Sequence, residues 1–211
     1  MLAGTLRLPT GAAADPAPSA MIRIDRIATR TGDDGSTGLA DGTRLGKDHP
    51  LIAALGAVDE ANARLGAVRI AAPPAAVAEA LPAIQNDLFD LGGDLATPPG
   101  GPYEAKIPRI SAAQVARLDR LLAEATARLA PLRSFVLPAG SPAAVQLHLA
   151  RTAVRSAERA VVAARAGDPA RAWNPELVAY LNRLGDLCFA WARMANADGA
   201  ADVLWQPGQG R

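Results

Sequence analysis

The stretch AAVAEALPAIQNDLFDLGGDLA, residues 75–96, decides the fold that we expect for this chain. Its apolar residues recur at every third or fourth position, which is the spacing of one face of an α-helix. The stretch therefore predicts an amphipathic helix that buries a leucine-rich face. The residues of that face are Val77, Leu81, Ile84, Leu88, Leu91 and Leu95.

Four other segments show the same helical spacing, and segments rich in Pro and Gly separate them. They cover residues 49–70, 111–129, 143–166 and 175–197. Ser111, followed three residues later by Gln114, forms a capping box that marks the start of the third helix. These patterns predict an all-α fold, an antiparallel five-helix bundle of the ferritin-like up-down type, preceded by an N-terminal glycine-rich nucleotide-binding loop.

The composition of the chain ends sets the expected domain limits. Residues 1–20 are rich in Ala, Pro and Gly and lack the apolar segment of a signal peptide, so we expect a disordered N-terminal tail. The helical-bundle domain is expected to span residues 21–205. Residues 206–211 are expected to form a short C-terminal tail.

Charge and cysteine content exclude several classes of function. The 211 residues carry a net charge of +1, which gives no reason to bind nucleic acid or an anionic membrane. One cysteine, Cys188, excludes an internal disulfide and favours a reducing, cytoplasmic location. The two histidines, His49 and His148, do not combine with it at a familiar metal-binding spacing, so we assign none of the three a metal or a chemical role.

The segment before the first helix is unusually poor in apolar residues. Residues 29–46 read TRTGDDGSTGLADGTRLG. Its glycines permit positive φ angles, which allows backbone N–H groups to converge on phosphate oxygens. The alternative is a flexible surface loop. A P-loop is excluded, because GTRLGKD has one residue too few between the glycines and Asp48 replaces the hydroxyl residue that would bind magnesium.

Charges interrupt the apolar stripe of the fourth predicted helix. Arg151 and Glu158 fall on the same stripe as Leu147, Val154 and Val161. A buried arginine needs an acidic partner, since an unpaired buried charge costs several kcal/mol. Asp59, on the first helix, is a candidate partner. The alternative is that the basic ridge on this helix is a solvated face with ordinary surface ion pairs.

Two further features leave alternatives open. The connection at residues 131–142, which we call the Phe135 connection, is apolar around Phe135. It is either a lid over the core or a wall for a large apolar ligand. Asn182, which shares a predicted polar side of the fifth helix with Asp186 and Arg193, either binds a ligand or links two helices.

Six motifs, in order along the chain, resemble those of the PduO-type ATP:cob(I)alamin adenosyltransferases. The resemblance covers roughly residues 22–205, and the joint occurrence of six motifs makes it specific. The motifs are TRTGDDGSTGL (29–39), GTRLGKD (42–48), LGAVDEANARLG (55–66), FVLPAG (135–140), RTAVRSAER (151–159) and YLNRLGDLCFAWAR (180–193).

The resemblance implies a homotrimer of five-helix bundles, with active sites between neighbouring subunits. The implied reaction moves the 5′-deoxyadenosyl group of ATP to the cobalt of cob(I)alamin, which gives adenosylcobalamin and triphosphate. Mg²⁺ is the implied ion. A flavoprotein that reduces cobalt and an adenosylcobalamin-dependent enzyme are the implied partners.

The resemblance also assigns roles to individual residues. The implied ATP-binding residues are Thr29, Arg30, Thr31, Gly32, Asp33, Gly35, Thr37, Lys47, Arg155, Glu158 and Asn182. The implied corrinoid-binding residues are Phe135, Val136 and Leu137, and the implied catalytic residues are Phe135, Arg155 and Lys47. Asp59 and Arg151 match a salt bridge between subunits. Ser156, where the family often has arginine, puts one phosphate or interface contact in doubt.

The chemistry accounts for the kinds of residue in these motifs. Cob(I)alamin is itself a strong nucleophile, so the protein has to align the 5′ carbon with cobalt and stabilise charge on the departing triphosphate. An apolar side chain at Phe135 would exclude an axial ligand and make cobalt easier to reduce. Two alternatives remain at this point: a corrinoid carrier or sensor gated by ATP without rapid turnover, and a purely structural bundle.

Overall fold

Within the described residues, five long helices follow one another in the order that the sequence predicts. The computed structural model describes residues 27–97, 99–100 and 104–209. The helices are α1 (Pro50–Arg69), α2 (Ala75–Ala96), α3 (Ala112–Thr126), α4 (Pro142–Gly167) and α5 (Glu176–Ala195). The prediction of a five-helix fold is confirmed, although α3 ends at Thr126 and not at residue 129. The predicted tail at residues 1–20 lies outside the described residues.

A small hairpin before α1 was not predicted. Strand β1 (Ser36–Gly38) pairs antiparallel with strand β2 (Arg44–Gly46). The turn between them is stabilised by a 2.7 Å hydrogen bond from the Leu39 N–H to the Thr43 carbonyl and by a positive φ at Gly42. The dipeptide Asp41-Gly42 is a recognised hairpin signal, and it was missed because only three residues pair on each side.

Hydrogen bonds at the two ends of the bundle show that consecutive helices alternate in direction. At one end, Asn174, just before α5, donates to Asp94 near the end of α2 over 2.7 Å. At the other end, the Ser141 N–H, just before α4, donates to Asn196 after α5 over 2.9 Å. We call the first end the Asn174 end. A short turn joins α1 to the antiparallel α2, so the N-terminus of α1 lies at the same end as the C-terminus of α2, which is the Asn174 end. The second end is called the Asn196 end.

The core consists of the predicted apolar stripes, and all six stripe residues of α2 are at most 1% exposed. Among the described residues, no helix combines the length and the apolar character needed to cross a membrane. One prediction about α5 is wrong. Arg193 does not belong to the polar side with Asn182, since it is only 7% exposed and its guanidinium forms an ion pair with Asp202.

Buried carboxylates join the helices in ways that the sequence did not reveal. Asp87 on α2 accepts a 2.7 Å hydrogen bond from the hydroxyl of Tyr180 on α5 and pairs with Arg117 on α3. Asp94 accepts hydrogen bonds from Arg109 and from the Ile110 N–H, so it holds the segment that leads into α3. Several hydrogen-bond donors compensate the charge of each carboxylate, and a charge can be buried at low cost only under this condition.

His148 on α4 is buried and has no hydrogen-bond partner at either ring nitrogen within the described part of the chain. Burial and the nearby positive charge of Arg151 lower the pKa of His148, while Asp202 acts in the opposite direction. The ring lies 6.1 Å from that of Phe189, centroid to centroid, on α5. His148 is therefore neutral in the folded protein at neutral pH.

Replacing His148 should flatten the pH dependence of stability. In the unfolded chain the histidine has an ordinary pKa of about 6.5 and takes up a proton below that pH, whereas the folded protein resists protonation. The stability is therefore fully present above pH ~6.5 and falls as the pH drops towards the lower, folded pKa. Urea unfolding at several pH values between 5 and 8 should show a smaller loss at acid pH for His148→Met than for the original chain.

The matched control is His49→Asn, which replaces the only other histidine. His49 is exposed and caps α1, accepting a 3.1 Å hydrogen bond from the Leu51 N–H, and Asn can also serve as an N-cap. If the His49 variant flattened the slope and the His148 variant did not, the assignment would be wrong.

Candidate functional site

A cavity of about 550 Å³ lies between the segment before β1 and the first turns of α1. We call it the loop cavity. The sequence-predicted ATP-binding residues that line it are Thr29, Arg30, Thr31, Gly32, Asp33, Thr37 and Lys47. Ile27, Ala28, Ser36, Gly38, Ile52 and Gly56 complete the lining. The structure thus brings most of the first predicted motif, together with Lys47, to one concave surface.

Backbone conformation and close packing shape the wall of the loop cavity. Arg30 has a φ of 58° and Gly35 a φ of 83°, so the chain turns sharply twice within six residues. The Lys47 Nζ donates a 2.8 Å hydrogen bond to the Gly32 carbonyl. A β-carbon on Gly32 would lie 2.9 Å from the Ser36 carbonyl oxygen, so this position requires glycine. The cavity wall is therefore preformed and carries positive charge from Arg30 and Lys47.

Arg44 on β2 supports this wall, although no motif predicted a role for it in the site. Its Nη2 donates to the Thr31 carbonyl over 2.6 Å, and its Nε donates to the Ser36 hydroxyl over 3.1 Å. The Asp34 carboxylate accepts from the backbone N–H of Ser36 over 2.9 Å and lies 3.5 Å from Arg44. The Ser36 N–H and hydroxyl, together with Arg44, lower the pKa of Asp34. The dipeptide Asp41-Gly42 is the sequence feature from which this role could have been predicted. A hairpin turn at this dipeptide places Arg44 on the strand opposite the first motif.

The second group of predicted ATP-binding residues lies elsewhere in the protomer. Arg155 and Glu158 are on α4 and Asn182 is on α5, and none of the three lines the loop cavity. The Arg155 stem packs beside Gly185 of α5. Asn182 is exposed and its side chain forms no hydrogen bond to another described residue, so the structure does not support the alternative in which it links helices. These residues form a separate polar patch, the α4–α5 patch.

Asp59 and Arg151 do not pair within the protomer. Asp59 is exposed and borders a largely apolar groove of about 460 Å³ that includes Leu55 and Phe89. The Arg151 guanidinium carbon instead lies 5.9 Å from the ring centroid of Phe189. The Arg151 Nε is buried without a partner in the described part of the chain. The candidate pairing inside one chain is therefore not observed, and the salt bridge between subunits stays a prediction.

The Phe135 connection is a surface feature and not a lid over the core. Phe135 is 76% exposed, and Leu137 is exposed as well. The Phe135 ring meets Trp205 edge-on at a centroid distance of 5.9 Å. Residues 135–137 pair with residues 203–205 of the C-terminal segment, so an apolar shelf forms at the Asn196 end. The core-lid interpretation is wrong because no layer of the bundle covers this ring.

A sequence profile of the family described as "Cobalamin adenosyltransferase" matches residues 27–195. The chain belongs to this family. A cobalamin adenosyltransferase from Cupriavidus metallidurans is 49% identical over 187 residues, which cover 87% of this chain and 96% of the relative. A corrinoid adenosyltransferase from Mycobacterium tuberculosis is 44% identical over 191 residues, which cover 90% of this chain and 97% of the relative.

Solved structures show the same relationship. A variant of the PduO-type ATP:corrinoid adenosyltransferase from Lactobacillus reuteri, complexed with cobalamin and ATP, matches with a TM-score of 0.76 and 32% identity. The match covers 86% of this chain and 97% of that one. The predicted family and the five-helix fold are both confirmed. The chain is similar to this PduO-type enzyme over most of the length of both proteins.

Arg44→Lys should weaken ATP binding to this adenosyltransferase, because one ammonium group cannot replace a planar fork that reaches two acceptors. Loss of about one hydrogen bond from the cavity wall predicts a five- to tenfold rise in the Kd for ATP. The measurement is the ATP-dependent increase in Tm over a range of ATP concentrations.

Arg64→Lys is the matched control for this variant. Arg64 has a similarly exposed side chain, 46% against 45% for Arg44, and pairs with Glu60 one helical turn away on α1. Its replacement should leave the response to ATP unchanged. Equal responses of the two variants would contradict the role given to Arg44.

Proposed function

We propose that the enzyme transfers the 5′-deoxyadenosyl group of ATP to the cobalt of cob(I)alamin at sites that two neighbouring protomers build together. In this step the electron pair of cobalt forms the Co–C5′ bond. The C5′–O bond breaks, and triphosphate leaves with its electron pair. The observation that carries the proposal is the separation, within one protomer, of the loop cavity from the α4–α5 patch and the Phe135 shelf.

The loop cavity suits the triphosphate part of ATP. Its volume is within the usual range for small-molecule sites, and its polar wall contains Arg30, Lys47 and the backbone N–H groups of a tight turn. Lys47 uses one donor on the Gly32 carbonyl and retains two for phosphate oxygens. These groups would stabilise the charge that builds up on the leaving group without further reorganisation.

The α4–α5 patch supplies the groups that the loop cavity lacks. Arg155 is exposed, and no acidic residue pairs with it among the described residues, so its guanidinium is available for a phosphate of ATP bound to a neighbouring copy. Asn182 is available for a polar atom of the nucleotide. The exposed Asp59 and the half-buried Arg151, neither of which has an ion-pair partner among the described residues, fit a salt bridge across the same junction.

The donor set fits a magnesium ion that is held mainly by the substrate. No group of three or more His, Cys, Asp or Glu side chains suited to a metal occurs in the described part of the chain. Magnesium commonly uses one or two carboxylates together with substrate phosphates and water. Asp33 or Glu158 would provide such a carboxylate, since neither is paired within the described residues. When bound, magnesium supplies positive charge to the triphosphate.

The remaining features of the proposal concern the setting of the enzyme. We place it in the cytoplasm as a homotrimer. The net charge of only +1 gives no support for binding to nucleic acid or to a membrane. A flavoprotein would provide the electron for cobalt, and an adenosylcobalamin-dependent enzyme would receive the product. A carrier or sensor without turnover is not favoured, since the relatives are named as adenosyltransferases.

Mixing two inactive variants tests the shared site. Lys47→Ala damages the loop cavity and Arg155→Ala damages the α4–α5 patch, so each variant alone should lose most of its activity. When the two are unfolded together and refolded, mixed assemblies contain some junctions with both native side chains. We expect activity to return in these mixtures, measured as light-sensitive adenosylcobalamin formed from ATP, Mg²⁺ and chemically reduced cobalamin.

The control for mixing is each variant refolded alone at the same total concentration. A mixture no more active than its components would show that one protomer holds the complete site. The original chain should form many equivalents of product per protomer, whereas a carrier would stop at one equivalent.

Phe135→Ala should separate ATP binding from cobalt reduction. Phe135 does not line the loop cavity, and its proposed contact is with the corrin, so the ATP-dependent gain in Tm should persist. The spectroscopic signal of four-coordinate cob(II)alamin should largely disappear, because the axial ligand is no longer excluded. An unchanged signal would refute this role for Phe135.

A further inference from the structure

Three buried side chains join the Phe135 connection and the C-terminal segment to the end of α5. They are Arg193, Asn196 and Asp202, and we call them the Asn196 clamp. Arg193 and Asn196 are 7% and 2% exposed, and the side chain of Asp202 is also 2% exposed. Polar groups buried to this degree are costly unless they are paired, so their contacts are strongly specified.

Arg193 connects the start of the Phe135 connection to the C-terminal segment. Its Nε donates to the Asp202 carboxylate over 2.8 Å, and its Nη2 donates to the Ala130 carbonyl over 3.0 Å. One rigid guanidinium therefore fixes the positions of two separate chain segments. Gly199 makes room for it, since a β-carbon there would lie 2.8 Å from the Arg193 Nη2.

Asn196 fixes the other end of the same connection. Its Nδ2 donates to the Ala139 carbonyl over 3.1 Å and to Asp202 over 3.3 Å, and its Oδ1 accepts from the Ser141 N–H over 2.9 Å. Gly140 has a φ of 110°, and a β-carbon there would collide with the Asn196 amide. The clamp thus holds both ends of the connection that carries Phe135.

The C-terminal segment passes this constraint on to Phe135 itself. The Trp205 N–H donates to the Phe135 carbonyl over 2.8 Å, and the Leu137 N–H donates to the Val203 carbonyl over 2.8 Å. The Ser134 hydroxyl donates to the Trp205 carbonyl over 2.8 Å. An aromatic ring that is 76% exposed cannot be held by burial, so its position depends on these backbone links.

We propose that Asn196 and Asp202 are positioning residues that act through residues 203–205 to hold Phe135 against the corrin. This inference rests on the proposed function of Phe135. The clamp keeps the ring at a fixed height above the bundle, so that the ring competes effectively with the axial ligand of cobalt. Loosening the clamp impairs formation of four-coordinate cob(II)alamin but leaves ATP binding intact, because no residue of the clamp lines the loop cavity.

Asp202→Asn is the principal test, because it keeps the size of the side chain and removes the charge that pairs with Arg193. We expect the four-coordinate cob(II)alamin signal to fall about tenfold, the effect of losing roughly one hydrogen bond that holds the productive position. The rate with cob(II)alamin and a reductant should fall in parallel. The rate with pre-reduced cob(I)alamin and the ATP-dependent gain in Tm should change less than about twofold, since neither depends on excluding the axial ligand.

Asp198→Asn is the matched control, with the same change of charge in the same turn. Asp198 pairs with Arg128 on the surface, with side chains 40% and 52% exposed, and it does not contact the Phe135 connection. It has a φ of 52°, a conformation that Asn tolerates well. This variant should keep the full four-coordinate signal, so an equal loss in both variants would overturn the proposal.

Ser134→Ala decides the matter if Asp202→Asn does not fold. It removes the hydrogen bond to Trp205 outside the buried clamp and should lower the same signal. Phe135→Ala is measured beside these variants. If Phe135→Ala abolishes the signal while Asp202→Asn, or Ser134→Ala in its place, retains it, the clamp proposal fails and the function of Phe135 stands. If Phe135→Ala itself retains the signal, the proposed function of Phe135 fails.

Discussion

Buried carboxylates must collect enough hydrogen bonds to replace the water they lose, and three of them hold this bundle together. Asp87 joins α2 to α3 and α5, and Asp94 fixes the approaches to α3 and α5. Asp202 anchors the C-terminal segment through Arg193. Apolar packing alone would allow the helices to slide or the connections to move, because it is not directional. Asp94 adds direction at the Asn174 end of the bundle, and Asp202 adds it at the Asn196 end, which carries the Phe135 connection.

The arrangement places two chemical tasks far apart on one rigid support. The loop cavity gathers the positive groups and turns of the first motif beside the N-terminal part of α1. The Phe135 shelf stands at the other end of the bundle, and the α4–α5 patch lies on a different surface from the cavity. A reaction that joins a nucleotide to a corrinoid needs all three features at once. In the proposed assembly, a second copy of the chain brings them together without any one protomer having to bury charged and apolar ligands in its own core.

The helices and the chain family could be predicted from the sequence with good accuracy. The periodic leucines of α2 define a stripe that the structure buries almost completely, and the capping box at Ser111 marks the start of α3. The placing of polar residues was less predictable. Arg193 has the spacing of a residue on a polar helix side, yet it is buried, because Asp202 and the Ala130 carbonyl approach from segments distant in sequence. Arg44 likewise acquires its role from the hairpin that folds it back onto Thr31.

The sequence by itself determined the number and order of the helices and the family. These depend on local periodicity and on the residue types that occur at short spacing, and both can be read directly from the sequence. The tertiary structure decided which of these residues meet in one protomer. It gathered Thr29–Asp33, Thr37 and Lys47 into one cavity and kept Arg155 and Asn182 apart from it. It also exposed Phe135 on a shelf held by Asn196. That outcome depends on the directions in which the helices pack and on buried hydrogen bonds between segments far apart in sequence, which no local pattern encodes.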